Sequence, residues 1–414
     1  MAALQPVRGT HDLLPEESRR HRHVVDVARE TAARYGFGEI MIPIFEFSDV
    51  FRRTLGETSD IVSKEMYTFV DRGGEELTLR PEATAGIARA LISGGLAQNL
   101  PLKFFTHGPM FRYERPQKGR LRQFHQIDIE LLGVAGPQAD IEVLACGADI
   151  LDRLGVLKSC TLELNTLGDA ESRAAYRTVL VDYLKAHQSR LSKDSLDRLE
   201  RNPLRILDSK DEGDRNVLAE APVYSQYLTR AAADFFQEVR AGLEALGIAY
   251  TINPRLVRGL DYYCHTAFEF TTTALGAQGT VMGGGRYDGL VEAMGGQATP
   301  GVGWAAGIER LSMLVEGVPE PKRPIAVVPV GAEAERTALE VAHSLRRSGF
   351  SVEHGYSGNL GRRLKRANKL GAAAALLIGE AELSRSVATL RDLDSGEQAE
   401  VPLQGLAERL SRYR

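Results

Sequence analysis

Cysteine is scarce in this 414-residue sequence. Cys146, Cys160 and Cys264 are too few and too scattered for a disulfide framework or for a zinc site legible from spacing. Long apolar runs are missing as well, so no stretch reads as a bilayer span, and no basic segment followed by an apolar one marks a secretion signal. A reducing cytoplasm is the expected compartment. Charge of one sign is not in excess either. The net charge of −4 does not advertise a nucleic-acid binder, although residues 321–414 carry 15 Lys and Arg against 11 Asp and Glu, a net +4 that leaves −8 for the first 320. The glycine cluster Gly283–Gly289 lacks the G-K-[ST] ending of a phosphate-cradling loop. Gly301–Ala306 matches the dinucleotide-binding pattern formally, but it follows Thr-Pro rather than a strand.

What is present centres on Phe104–Gly133, FFTHGPMFRYERPQKGRLRQFHQIDIELLG. It reads as two antiparallel strands joined by a basic loop, Arg115–Arg122. On the second strand Phe124, Gln126, Asp128 and Glu130 share one parity, and Ile127, Ile129 and Leu131 the other. On the first, Met110, Arg112 and Glu114 alternate with Phe111 and Tyr113. A polar sheet face is a solvated outer surface in most sheets. This one mixes arginine, carboxamide, carboxylate and ring, which suits a small zwitterion and a polyphosphate, and its basic loop suits a nucleic-acid phosphate chain.

The remaining elements follow from punctuation and period. A helix is expected from about Glu16 to Tyr35, then a strand Glu39–Glu46 with Pro43 at its centre, a position that confines it to an edge or interface. Leu77–Thr84 ends a strand and opens a helix, where Glu82 and Thr84 read by themselves as capping residues. An amphipathic helix over Asp140–Leu154, a strand over Cys160–Asn165 and a mostly helical stretch of about 170–245 come next. Leu256–Tyr263 then leads into a strand, Ala267–Thr271. The Pro-rich, charged stretch Glu316–Pro324 is the best linker in the chain. Beyond it the order is βαβαβ, a small, mostly parallel sheet with covering helices. One of those helices crowds Arg362, Arg363, Lys365, Arg366 and Lys369, by default a solvated face. The whole is α+β: an antiparallel sheet with flanking helices and a helical insertion over 1–320, then an α/β domain over 325–414.

F-R-x-E-R-P-Q-K-G-R-x-R-Q-F-H-Q, from Phe111 to Gln126, resembles the second signature of class II aminoacyl-tRNA synthetases in the form that histidyl-tRNA synthetases use. The resemblance covers nearly the whole chain. The helix and Pro43 strand resemble the first signature, a dimer-forming element, and Gly301–Arg310 resembles the third. The most specific pieces are R-G-L-D-Y-Y at Arg258–Tyr263 and G-G-R-Y-D-G-L at Gly284–Leu290. The resemblance implies histidine activation by ATP to an adenylate, then transfer to the terminal adenosine of tRNA by a homodimeric enzyme. It places Arg112 and Arg258, as the catalytic pair, beside the α-phosphate and carboxylate. Arg120 and Arg310 fall on the outer phosphates or the adenine face, Phe124 on adenine, and Glu114 on ATP. Glu82, Thr84 and Gln126 match α-amino and carboxylate contacts, while Glu130 and Tyr263, with Tyr262 beside them, match the contacts to the imidazole ring. Such a pocket rejects isosteres that leave its own polar groups unpaired. For tRNA, Gln117 and Lys118 of the basic loop and Arg362, Arg363 and Arg366 of the terminal, anticodon-binding domain are implied, and the 170–245 insertion resembles the one lying over the acceptor arm. Mg2+ arrives with ATP, and no dedicated metal ligands are named. His11, His107, His125 and His265 read as structural or surface residues. Leu121, where many relatives carry tyrosine, and Cys264, where a polar residue is common, depart from the pattern. Two other readings are a histidine-binding regulatory subunit of ATP phosphoribosyltransferase, which usually lacks the terminal domain and degrades the arginine set, and a synthetase for threonine or proline, which would lack R-G-L-D-Y-Y.

Overall fold

The computed structural model describes residues 3–56, 59, 61–260, 262–276 and 279–414. Asp261, inside the R-G-L-D-Y-Y stretch, lies outside the described residues. The chain divides into two compact units, Met1–Val318 and Pro319–Arg414. No helix among the described residues is long and apolar enough to cross a membrane.

In the first unit the strands are β1 (Gly38–Glu39), β2 (Phe45–Phe47), β3 (Tyr67–Val70), β4 (Glu76–Leu79), β5 (Leu102–Phe111), β6 (Gln123–Leu132), β7 (Thr161–Thr166), β8 (Thr251–Ile252), β9 (Cys264–Thr271), β10 (Thr280–Arg286) and β11 (Gly301–Gly307). Among the described residues, eight of them form one sheet in the order β1-β5-β6-β11-β10-β9-β7-β8, antiparallel except at its two outermost pairs. A second, three-stranded sheet has the order β2-β4-β3. The helices are α1 (Pro15–Arg34), α2 (Ser48–Leu55), α3 (Thr84–Ser93), α4 (Gln138–Arg153), α5 (Ala170–Ala186), α6 (Lys193–Arg201), α7 (Glu212–Leu218), α8 (Arg230–Ala245), α9 (Leu290–Ala293) and α10 (Ile308–Leu314).

Residue parity decides what each face of the large sheet does. Ile127, Ile129 and Leu131 of β6 join a core with Val24, Val25 and Ala28 of α1 and Val143, Leu144 and Ile150 of α4. Burial of this apolar set, at roughly 25 cal/mol per Å², fixes the register of β6, because a one-residue slip would exchange its two faces. The opposite face therefore holds Phe124, Gln126, Asp128 and Glu130. That face is not solvated: Asp128 and Glu130 are each 1% exposed. Helices α5–α7 pack their own apolar residues, Tyr176, Leu180, Leu184, Val217 and Leu218, on this side, whereas Val239 and Leu243 of α8 belong to the core beneath the sheet.

Two local expectations change. The strand expected across Pro43 is broken into β1 and β2, since proline cannot donate to a ladder; the Ile42 carbonyl is taken instead by Arg80 Nη1 at 2.9 Å. Strand β5 ends at Phe111, so Arg112 and Glu114 lie beyond it, where the Tyr113 N–H turns aside to the Glu65 carbonyl at 2.7 Å.

The second unit contains β12 (Ile325–Val330), α11 (Ala334–Arg347), β13 (Val352–His354), α12 (Leu360–Lys369), β14 (Ala374–Gly379), β15 (Val387–Asp392) and β16 (Gln398–Pro402). The sheet order is β13-β12-β14-β15-β16, with β12 parallel to both neighbours and the last two pairs antiparallel. Ile325, Val327, Leu376 and Ile378 pack against Ala338, Ala342 and Leu345 of α11.

Candidate active site

A recess of about 200 Å³ opens on the Phe124–Glu130 face of the sheet. Arg112, Arg120, Arg258 and Arg310 line it together with Phe124, Gln126, Glu82, Thr84, Glu114, Tyr262 and Tyr263. The structure thus gathers eleven of the twelve residues expected to bind histidine and ATP from segments up to 228 positions apart, and places the twelfth, Glu130, in the floor beneath them, bonded to Thr84.

Each arginine is held by a protein acceptor. Arg112 Nε donates to the Pro81 carbonyl at 2.9 Å, and its guanidinium lies 5.2 Å from the Phe124 ring centre. Arg120 pairs with Glu114 at 2.7 Å. Arg310 donates to the Gly119 and Thr280 carbonyls at 3.0 and 2.6 Å, and burial, then the neighbouring Arg120 charge, lowers its pKa. Arg258 pairs with Glu269, whose other oxygen accepts from Thr280 Oγ1 at 2.6 Å. Gly283 lies opposite Glu269 in the ladder, and a Cβ there would stand 2.7 Å from Arg258 Nη1, so only glycine lets Arg258 lie flat on β10. Burial disfavours the Arg258 cation, but the Glu269 carboxylate together with Tyr263 and Tyr262 outweighs it and raises the pKa.

The acidic end is built differently. Glu82 accepts the Thr84 and Ala85 N–H groups at 2.7 and 2.9 Å, so the capping contact is real and orients the carboxylate. Burial raises its pKa against those hydrogen bonds. Glu130 accepts from Thr84 Oγ1 at 2.5 Å and from the Tyr287 hydroxyl. Burial pushes Glu130 up to about 8, with both hydrogen bonds opposing. Tyr263, expected to complete the contacts to the imidazole ring, lies in the same recess and stacks beside Tyr262, ring centres 4.6 Å apart. The ladder sets Glu130 opposite Gly303, and Tyr287 reaches it from the end of β10. Tyr287 was therefore missed, although it sits inside the G-G-R-Y-D-G-L stretch. The same stretch supplies Arg286, fully buried in an ion pair with Asp140. Its residues brace the pocket.

Two buried polar atoms in the recess lack a hydrogen-bond partner among the described residues, Gln126 Oε1 and Arg258 Nε. Buried groups in that state mark where a polar ligand gains most, because desolvation has already been incurred. The two departures from the family pattern are benign here. Leu121 lines the recess, and burial pushes the Cys264 thiol up to about 12, leaving it neutral.

The residues expected to meet tRNA divide. Gln117 and Lys118 are exposed at the tip of the basic loop, closed by paired Gln117 and Arg120 backbone bonds at 3.0 and 2.9 Å. Arg362 and Arg366 are exposed on α12. Arg363 is not: it is 10% exposed, pairs with Glu335 at 2.8 Å and donates to the Pro329 carbonyl at 2.5 Å. Helical phase turns it inward, and it is a brace between α12 and its own sheet.

Comparison with known proteins agrees with this geometry. The family model for histidyl-tRNA synthetase matches residues 9–311, and that for the anticodon binding domain matches 324–413. The histidine–tRNA ligase of Rhodospirillum rubrum is 63% identical over the full length of both chains, and that of Gluconacetobacter diazotrophicus is 57% identical over 99% of each. Among solved structures, the apo histidyl-tRNA synthetase of S. aureus superposes with a TM-score of 0.83 at 34% identity, covering 98% of this chain and 99% of its own.

Proposed function

This chain belongs to the histidyl-tRNA synthetase family, and from that premise we propose how its residues divide the work. The protein is a histidine–tRNA ligase: it joins L-histidine to its tRNA in translation, through a histidyl-adenylate made at the expense of ATP. The observation that carries the site assignment is the gathering of four arginines, an aromatic ring and a buried acid–amide set in one recess.

In the first step a histidine carboxylate oxygen attacks the α-phosphorus and pyrophosphate leaves. The protein has only to hold the two in line and to neutralise charge as it develops. Arg112 and Arg258 do so at the carboxylate and α-phosphate, with forks that can serve two oxygens each. For Arg258, substrate oxygens replace Glu269 as acceptor. Arg120 and Arg310 take the outer phosphates or the adenine face, Glu114 contacts ATP, and adenine stacks on Phe124. Mg2+ enters as part of the ATP substrate. Glu82, Thr84 and Gln126 receive the α-amino and carboxylate groups. Glu130, held by Thr84 and Tyr287, accepts an imidazole N–H from the floor of the pocket, with Tyr263 and Tyr262 at the other side of the ring. The histidyl group then passes to the terminal adenosine of the tRNA. Gln117 and Lys118 approach the acceptor end, and Arg362 and Arg366 the anticodon arm.

The active form is a homodimer in the cytoplasm. The support is a cluster of large apolar side chains around β2, β3 and the segment before β2: Met41 is 85% exposed, Val70 64%, Phe47 56% and Phe45 53%. A patch of that kind on a small sheet suits a self-complementary interface. ATP–pyrophosphate exchange, assayed with each amino acid separately, tests the assignment. Exchange should depend on histidine; equal exchange with threonine or proline would end it.

A further inference from the structure

Beside the nucleotide recess lies a second one of about 310 Å³, where α1, the turn of the basic loop and α10 meet. Its wall holds His21 and Glu309, with His125 immediately behind, and each of the three residues offers one ligand atom within 4.8 Å of the other two. We propose that His21, His125 and Glu309 form a binding site for a divalent transition-metal ion of the Zn2+ class, separate from the Mg2+ that accompanies ATP.

Three observations support the site. The His21 and His125 rings stand edge to face with centroids 4.6 Å apart, which brings two imidazoles to one point without any hydrogen bond between them. His21 Nε2 is buried and has no hydrogen-bond partner among the described residues, and the same holds for Ser312 Oγ, one turn after Glu309 in the same wall. Buried donors and acceptors left in that state are rare unless a ligand completes them. Finally, Glu309 already grips His125 through both its backbone N–H, at 3.0 Å, and Nδ1, at 2.8 Å. An ion that replaces the proton between Nδ1 and Oε1 would take both as ligands, while the other carboxylate oxygen keeps the backbone N–H and holds Glu309 in place.

The donor set selects the ion. Two imidazoles and one carboxylate are the ligands of many Zn2+ sites, and bond lengths of ~2.0–2.1 Å put neighbouring tetrahedral ligands ~3.3 Å apart. The three ligand atoms, now within 4.8 Å of one another, have to draw together by an ångström or so on binding. Arg20 and Lys118 also line the recess, so charge attraction alone would not retain a cation there. An ion held mainly by nitrogen ligation fits, and Mg2+ or Ca2+, which need several oxygens, does not. The remaining positions are open to water or to His11 at the rim. Binding would tie α1 to the residues that directly follow Phe124 and precede Arg310, yet it does not depend on which amino acid the enzyme activates.

The test uses the full chain without a histidine tag, stripped with chelator and titrated with Co2+ under visible absorption, then with Zn2+ in competition. One equivalent of Co2+ should bind with a nitrogen–oxygen d–d spectrum and be displaced stoichiometrically by Zn2+. The His21→Phe variant, which fills the space of the ring, should bind at least about a hundredfold more weakly. If that variant does not fold, His21→Gln provides the same comparison. No saturable Co2+ binding, a thiolate charge-transfer band, or an unchanged spectrum and affinity in the His21 variants would overturn the proposal.

Discussion

The recess of the first unit and helix α12 of the second both concentrate arginine, but they hold it differently. In the recess Arg112, Arg120, Arg258 and Arg310 are bonded to carbonyls or carboxylates and stand in a partly dry cleft, where charge acts strongly on anything that enters. On α12 Arg362 and Arg366 face solvent, while Arg363 is turned in against Glu335. Preorganised cations suit a reaction whose charge develops at one point. Solvated ones suit a long polyanion bound through many weak, salt-sensitive contacts. The same residue type thus has opposite consequences when mutated in the two places.

The largest effect is expected at Arg258. Lysine keeps its charge and loses the fork, so Arg258→Lys should lower histidine-dependent exchange by a hundredfold or more, about 2.7–4 kcal/mol in the chemical step. Histidine binding, followed by calorimetry, should fall less, because the lost contact belongs mainly to the transition state. A near-normal exchange rate would erase the contrast between the two regions.

Glu130 sharpens the contrast from the acidic side. Burial raises its pKa to about 8, so between its ordinary value and about pH 8 the native state of the unliganded protein holds a proton that the unfolded chain releases. Its contribution is fully present at low pH and is lost as pH rises through that window. Asp128, buried beside it, is shifted in the same direction. Glu130→Gln should flatten the decline and stabilise the unliganded protein at pH 9 relative to pH 5, on the order of 2 kcal/mol, while abolishing exchange. Denaturant unfolding at the two pH values checks this; a parallel decline in both proteins would refute it.

Arg363 tests the exception on α12. Arg363→Ala should cost stability, about 1–2 kcal/mol by denaturant unfolding, through the Pro329 and Glu335 contacts, and leave exchange intact. Arg362→Ala and Arg366→Ala should leave stability within about 0.5 kcal/mol, raise KM for tRNA and reduce its salt dependence. If Arg363→Ala instead weakens tRNA charging at unchanged stability, its partners on the fold are incidental.

Much of this was legible from residue order, for a physical reason. The period-two face of β6, the inward run Ile127-Ile129-Leu131 and the caps of α1 and α3 are local signals, and the recess is built around that strand. What was not legible depends on pairing across the chain. Nothing near Glu130 in sequence says that Tyr287 will reach it, nor does anything near Arg363 announce Glu335. Glycine is depleted in strands, yet Gly283–Gly285 is strand, emptied of side chains so that Arg258 and the neighbouring strands can approach. His21, His125 and Glu309 stand 104 and 184 residues apart, a spacing no metal motif describes. Pro43 shows the converse: a correct local rule, that proline avoids sheet interiors, ended a strand where an edge position had been expected.

The most direct test separates the two units. A chain ending after Pro319 should remain folded by circular dichroism and retain histidine-dependent pyrophosphate exchange near the full-length rate, because every residue assigned to adenylation lies before that point, while tRNA charging falls steeply through a raised KM. A folded fragment without exchange, or one that charges tRNA as well as the full chain, would contradict the division of labour described here.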